Sequence, residues 1–230
     1  MLVRIRPLLT PRSMLVFGGV GLLFTALALA FLILNGDSWG RAPQLELQSQ
    51  GRAPSWELTD QTGAAVRSRE LAGKIVVADF IYTSCTDTCP ALSLKMQLIE
   101  RKLRAEGLLG ERVQLLSFTT DPERDSPEVL RRYSQQFQAD PAVWSFLTGP
   151  KDVLIPTIVN GFKLGVDFAP AAGATPHLHA DGAQHEHAYT VLHSNRFALI
   201  DGDGVIVKYY DGMTVVPEEV VGDVREMAGR

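Results

Sequence analysis

The sequence predicts an α/β fold, a three-layer sandwich of a central sheet covered by helices, preceded by one membrane-spanning helix. Three observations lead to this prediction. Strand-like runs alternate with helix-like segments from about residue 56, an Asp-Gly-Asp-Gly turn signal comes late in the chain, and residues 14–34 carry no charge. Alternating strands and helices are typical of domains in which helices cover a sheet. Hydrophobic residues make up 46% of the chain, which is enough for a packed core.

Residues 14–34 are an uncharged run that is long enough to cross a membrane. A helix of this length spans about 30 Å, the thickness of the hydrocarbon core of a bilayer. Because Arg4, Arg6 and Arg12 lie before the run, the positive-inside rule places residues 1–13 in the cytoplasm. The alternative is a cleaved signal peptide, whose apolar core would be only about 7–15 residues. The favoured interpretation is a single-pass anchor in the inner (cytoplasmic) membrane, with the rest of the chain on the periplasmic, extracytoplasmic side.

Residues 35–54 contain Gly, Pro and Gln with little periodicity, and they are predicted to be a tether. The folded domain is therefore expected to occupy residues 55–230. From Asp37 onward the chain has 19 basic and 26 acidic residues, a formal charge of −7. Such a body lacks the basic face that phosphate groups require, which excludes nucleic-acid binding.

The first half of the domain is predicted to contain a hairpin, a central strand and a helix. Residues 56–60 alternate between polar and apolar and are followed by a turn at Gly63, which predicts the hairpin. The nearly continuous β-branched and aromatic run at 74–82 is typical of a buried central strand. Pro90 is expected to be the first residue of the helix, where its missing N–H has no effect. The apolar positions of this helix recur at helical spacing: Leu92, Met96, Ile99 and Leu103.

The second half is predicted to continue the alternation and to end in a hairpin and a helix. Ser126 and Pro127 form a helix-start signal, a capping hydroxyl followed by proline. The sequence Asp201-Gly202-Asp203-Gly204 between two apolar runs predicts a β-hairpin. The elements expected here are strands at 113–118, 144–148, 197–200 and 205–210, helices at 126–137, 151–161 and 218–227, and a loop at 166–190.

Both cysteines of the chain, Cys85 and Cys89, lie between the central strand and the following helix. The N-terminus of a helix carries a partial positive charge and free N–H groups, which favour a thiolate. A thiolate attacks disulfides and binds soft metals. The spacing allows both sulfurs to reach one metal ion or each other, so a metal site and a redox pair are both open; the alternative is two buried structural cysteines or one inert disulfide.

The order of strand, cysteine turn, helix and late hairpin is that of thioredoxin-like folds. Four stretches also resemble the Sco family of copper-delivery and redox proteins: Phe80-Ile-Tyr-Thr-Ser-Cys-Thr-Asp-Thr-Cys-Pro90, Thr119-Thr-Asp-Pro-Glu-Arg-Asp-Ser-Pro127, Trp144-Ser-Phe-Leu-Thr-Gly149, and Leu192-His-Ser194 with the hairpin after it. The resemblance covers about residues 55–227. Thr86 stands where the family often has proline, a departure that leaves the balance between copper delivery and thiol chemistry open.

The resemblance implies that Cys85, Cys89 and His193 bind copper, as Cu(I), Cu(II) or both. It also implies a chaperone that helps to assemble the CuA centre in the copper-bearing subunit of a respiratory cytochrome c oxidase. Two thiolates and one imidazole form a soft donor set that suits Cu(I) and can hold Cu(II), whereas zinc would require a fourth ligand. The alternative is a thiol-disulfide oxidoreductase, in which Cys85 and Cys89 are catalytic and reduce the cysteines of an oxidase subunit.

Three aspartates are further candidates. Asp79 lies six residues before Cys85, the spacing of the buried acid in thioredoxin, and is expected to accept a proton in thiol chemistry; alternatively it lies at a sheet edge or pairs with Lys74. Asp121 follows a strand and is expected on the same rim as the cysteines, or else is a simple turn residue. Asp125 is predicted to cap a helix.

The histidines of the chain are concentrated in one segment. Two His-x-His pairs precede His193, and all five histidines fall within 17 residues. Short His-rich tracts bind metal, and imidazole is a common ligand of oxidised copper. The pairs are therefore predicted to be auxiliary metal ligands, with a polar loop as the alternative: His177, His179, His185 and His187.

Overall fold

The structure, a computed structural model, describes residues 50–170 and 189–229 of the chain. The described residues belong to one compact unit. The predicted anchor at 14–34, most of the tether, and His177, His179, His185 and His187 lie outside the described residues. Among the residues that are described, no helix is both long and apolar enough to cross a membrane.

A central sheet organises the described part of the domain. Its strands are β1 Glu57–Asp60, β2 Ala65–Arg67, β3 Ile75–Ile81, β4 Val113–Thr119, β5 Trp144–Thr148, β8 Arg196–Ile200 and β9 Ile206–Asp211. Their order in the sheet is β2-β1-β5-β4-β3-β8-β9, with β3, β4 and β5 parallel and the outer pairs antiparallel. Strand β3 lies between β4 and β8, and all of its residues are buried.

Helices cover both faces of the sheet. They are α1 Thr88–Ala105, α2 Pro127–Gln136, α3 Lys151–Pro156, which continues in π-helical form to Gly161, and α4 Pro217–Ala228. Side chains of α1, α2 and α4 share one core with Val77 and Ile81 of β3. Side chains from α3 and its continuation share the second core with Ala78 and Phe80. Since neighbouring residues of a strand point to opposite faces, β3 contributes to both cores, and the predicted three-layer α/β sandwich is confirmed.

Most predicted elements are present, but α1 begins two residues earlier than expected. It starts at Thr88, so that Pro90 is its third residue and Cys89 lies within its first turn. A proline anywhere in the first turn sacrifices no intrahelical hydrogen bond, which is why the sequence signal did not distinguish the two starts. The shift matters because it places the Cys89 N–H at the open end of the helix.

The predicted loop at 166–190 is wrong at both ends. Strand β6, Val166–Pro170, pairs antiparallel with β7, Tyr189–His193, and Val166 lies opposite His193. The two strands lie about twenty residues apart in the chain, and the segment between them is rich in Ala, Gly and His, so neither carried a local turn signal. Their pairing makes His193 the last residue of a strand.

The last residues of the predicted tether are hydrogen-bonded to the late hairpin. The N–H of Gln50 donates to the Ile206 carbonyl at 2.8 Å, and the Ile206 N–H donates to the Gly51 carbonyl at 2.8 Å. The Ala53 N–H donates to the Gly204 carbonyl at 2.8 Å. The chain therefore enters the domain along β9 and before residue 55.

Candidate metal centre

The cysteine turn connects the end of β3 to the start of α1. The Cys85 N–H donates to the Tyr82 carbonyl at 3.3 Å, which closes the turn. The Cys89 N–H, in the first turn of the helix, donates to the Cys85 sulfur at 3.4 Å. Both cysteines are free thiols; Cys89 is fully buried, whereas Cys85 is partly exposed. The Cys85 sulfur is therefore accessible and accepts a hydrogen bond from the helix start, whereas the Cys89 sulfur is buried.

His193 reaches the same place from the end of β7. Its Nε2 lies 3.4 Å from the Cys89 sulfur, and its Nδ1 lies 3.3 Å from the Ser194 carbonyl oxygen. The ring of Tyr82 packs edge-on against the imidazole, with centroids 5.6 Å apart. When Nδ1 carries the proton and donates a hydrogen bond to the carbonyl, the lone pair of Nε2 faces the Cys89 sulfur. The tertiary structure thus brings together residues that are 104 positions apart.

The surroundings of the two thiols shift their pKa values in opposite directions. Burial alone would raise the pKa of Cys85, but hydrogen bonds from the backbone N–H groups of Cys89 and Asp87 outweigh it and lower that pKa to about 7. Burial raises the pKa of Cys89 far above its ordinary value. Burial also lowers the pKa of His193, so its imidazole is neutral at pH 7 and available as a ligand.

An open cavity of about 480 Å³ lies over the turn. Cys85 and His193 line it, together with Arg124 and a set of hydroxyl, amide and carboxylate side chains. The polar lining residues are Tyr82, Ser84, Thr86, Asp87, Thr88 and Asn195. Solutes that enter the cavity therefore meet Cys85 and His193, whereas Cys89 is buried and does not line it.

The donor chemistry of these three side chains fits a soft metal. Two sulfurs and one neutral imidazole nitrogen are the ligand types that Cu(I) prefers. In residues 50–170 and 189–229, however, no three His, Cys, Asp or Glu side chains form a group already arranged to hold a metal ion. Cys89 contacts both Cys85 and His193, and the complete ligand set stays a prediction.

Asp79 is buried at the centre of the sheet and neither of its carboxyl oxygens makes a hydrogen bond. Both alternatives for it are wrong: β3 is an interior strand, and Lys74 donates to the Gly110 carbonyl at 2.6 Å instead. Burial raises the pKa of Asp79 to about 7. Its negative charge also raises the pKa of Cys89, so Asp79 interacts electrostatically with the cysteine turn.

Asp121 is fully buried and forms an ion pair with Arg124. Asp121 does not line the cavity itself, whereas Arg124 does. Arg124 was missed as a site residue, although the stretch that contains it resembled a family motif. Tyr82 was missed as well, although it lies within the motif that contains both cysteines.

The prediction that Asp125 caps a helix is wrong. Ser126 is the N-cap of α2, and its Oγ accepts from the Val129 N–H at 3.3 Å. Asp125 is fully buried and instead accepts hydrogen bonds from Thr83 and Thr119. Both Asp and Ser are common N-cap residues, and here Ser126, the residue directly before Pro127, is the cap, as the Ser-Pro signal predicted.

The chain is similar to known proteins in both sequence and structure. Residues 46–229 match the family model described as SCO1/SenC. A SCO1 protein homolog of Bacillus subtilis (strain 168) is 29% identical over 168 residues, which are 72% of this chain and 77% of that protein. The structure of Bradyrhizobium japonicum ScoI with copper bound is similar with a TM-score of 0.60 and 26% identity, over 76% of this chain and 99% of that one. BsSco, a member of the Sco family of cytochrome c oxidase assembly proteins in which a disulfide switch is identified, has a TM-score of 0.62 and 25% identity, over 81% and 99%.

Proposed function

The chain belongs to the SCO1/SenC family, and on that premise we propose that it is a copper chaperone that helps to assemble the CuA centre of a respiratory cytochrome c oxidase. The observation that carries the proposal is the contact between the Cys89 sulfur and His193 Nε2 at 3.4 Å, next to the Cys85 sulfur. Copper bound to ScoI and the oxidase-assembly role stated for the family of BsSco support it. Copper is the cargo, and the copper-bearing oxidase subunit is the partner.

Cys85, Cys89 and His193 would hold the copper. A ligand must lose its proton to bind, and at pH 7 Cys85 is already about half ionised while His193 is neutral. Cys89 keeps its proton until a metal replaces it, so copper uptake releases at least one proton. Three protein ligands leave room for a donor of another protein to bind the metal, which suits a site that passes its metal on.

The rest of the proposal concerns placement and supporting residues. Residues 14–34 would anchor the chain in the inner membrane with the cysteine domain on the periplasmic side, as the uncharged run and the arginines before it indicate. Asp121 would hold Arg124 at the rim of the cavity. His177, His179, His185 and His187 would capture additional copper.

The test is anaerobic titration of Cu(I) into the reduced full chain, followed by competition with a chelator. Wild type should bind one tightly held copper ion, and Cys85→Ser and His193→Ala should each lose tight binding. Ser126→Ala, which removes a helix cap away from the cavity, is the matched control and should bind as wild type does. Tight binding that survives in both ligand variants would overturn the proposed ligand set.

A second function, thiol-disulfide exchange, is favoured by the low pKa of Cys85 and by buried Asp79. The Cys85 thiolate would attack a disulfide of an oxidase subunit and release one thiolate. Cys89 would then pass its proton to Asp79 and attack the Cys85 sulfur, releasing the second thiolate. The partner gains two electrons and the Cys85–Cys89 pair loses them. Under this function His193→Ala keeps the reductase activity, whereas either cysteine variant loses it.

A further inference from the structure

Asp125 occupies a buried position beside the cysteine turn without lining the cavity or capping a helix. One oxygen, Oδ1, accepts from the Thr83 hydroxyl at 2.5 Å. The other, Oδ2, accepts from the Thr83 N–H at 3.1 Å and from the Thr119 hydroxyl at 2.5 Å. A buried carboxylate with three donors is well satisfied, and hydrogen bonds to a charged acceptor are stronger than neutral ones.

These bonds attach the cysteine turn to a rigid part of the sheet. Thr83 lies two residues before Cys85, whereas Thr119 is the last residue of β4. The other end of the turn is attached to α1, whose Cys89 N–H holds the Cys85 sulfur. Strands β3 and β4 are joined independently of Asp125, because the Thr120 N–H donates to the Ile81 carbonyl at 2.7 Å. A backbone hydrogen bond thus joins the two strands here without Asp125, and Asp125 in addition links the start of the turn to the end of β4.

We propose that Asp125 is the positioning residue of the two-cysteine turn: through the N–H and hydroxyl of Thr83 it holds the Cys85 sulfur next to Cys89. The expected effect of Asp125 on copper binding rests on the proposed function, whereas its expected effect on the disulfide equilibrium of the two cysteines does not. Both a shared metal ion and an intramolecular disulfide require the two sulfurs to stay close. A turn fixed in advance avoids the entropy that ordering it on binding would cost.

The proposal predicts different results for the loss of two neighbouring hydroxyl groups, those of Thr83 and Ser126. Thr83→Val removes the hydroxyl that holds the turn, and Thr83→Ser keeps it. Ser126→Ala removes the next hydroxyl along the chain from Asp125, which caps α2 and does not contact the turn. A purely structural Asp125 predicts that all changes act on stability alone. A positioning Asp125 predicts that Thr83→Val, and only that variant of the three, also changes the chemistry of the thiols.

The experiment equilibrates the metal-free full chain with glutathione and measures the fraction of the Cys85–Cys89 disulfide. Disulfide formation moves two electrons and two protons to glutathione disulfide, which becomes two glutathione molecules. Thr83→Val should lower the equilibrium constant for disulfide formation about tenfold, which is about 30 mV toward a more positive potential. Cu(I) affinity of the same variant should fall by about tenfold, the lower end of what lost outer contacts cost a metal site.

Thr83→Ser should keep the disulfide equilibrium constant and the Cu(I) affinity of wild type. Ser126→Ala should also leave both unchanged while lowering thermal stability. Asp125→Asn should shift both values at least as far as Thr83→Val; if it does not fold, Thr83→Val still decides. The proposal is overturned when Thr83→Val loses stability but keeps the wild-type potential and affinity. A wild type that binds no copper would defeat the proposed function, and the potential of Thr83→Val would still decide the role of Asp125.

Discussion

The two faces of the same strands β3 and β4 differ sharply in what they bury. On the α3 face, Phe80 stacks on Phe118 with centroids 5.6 Å apart, and Phe162 packs edge-on against Phe80 at 5.1 Å. On the α1 face, the neighbouring residue Asp79 is buried without a hydrogen bond, and the buried thiol of Cys89 belongs to the same core.

This difference teaches that the two cores have separate tasks. The aromatic core contains groups that gain free energy from burial alone. The other core accepts groups whose burial is unfavourable, which native proteins retain mainly at functional sites. We therefore expect substitutions on the α3 face to act on stability, and substitutions on the α1 face near the cysteines to act on proton, thiol and metal equilibria.

The largest expected effect tests the aromatic core. Phe118→Ala should lower the free energy of unfolding by about 3–5 kcal/mol, because it leaves a cavity among Phe80, Phe162 and Trp56. The measurement is denaturant unfolding at pH 7, with Cu(I) affinity determined well below the transition. The folded variant should bind copper as tightly as wild type. A tenfold loss of affinity in fully folded protein would break the division between the faces.

The next effect tests the buried carboxylate. The pKa of Asp79 is raised to about 7 from its ordinary 3.8, so between these values the native state binds more protons than the unfolded state. Stability must then fall as pH rises toward and through 7. Between pH 4 and pH 8 wild type should lose up to about 4 kcal/mol that Asp79→Asn does not lose. The comparison uses denaturant unfolding of both proteins across this range; parallel curves would show that Asp79 does not titrate in the native state.

The smallest effect concerns the acidity of the exposed thiol. Because N–H groups of the helix start lower the pKa of Cys85 to about 7, its alkylation rate should rise about tenfold per pH unit below 7 and level off above it. Burial keeps Cys89 protonated, so it should react far more slowly throughout. Mass spectrometry of each cysteine after timed iodoacetamide treatment measures both rates. A Cys85 profile that still rises at pH 9 would contradict the expected environment.

The local patterns in the sequence predicted most of the fold correctly. The apolar run of β3, the helical spacing of α1 and the Ser126-Pro127 signal each depend on neighbours within one or two turns of chain. The strands β6 and β7 escaped prediction because their stability comes from pairing across about twenty intervening residues. No residue near Val166 or Val191 carries that information locally.

The candidate site shows the same division. The sequence by itself determined that both thiols follow a buried strand and lie next to the start of a helix, and the motifs around them indicated the family and a nearby histidine. Only the tertiary structure decided that His193 contacts Cys89, that Asp79 lacks a hydrogen-bond partner, and that Asp125 holds Thr83 rather than a helix end. The physical reason is that residue type and spacing set local backbone preferences. Burial, pKa and hydrogen-bond partners depend on which distant segments the folded chain brings into contact.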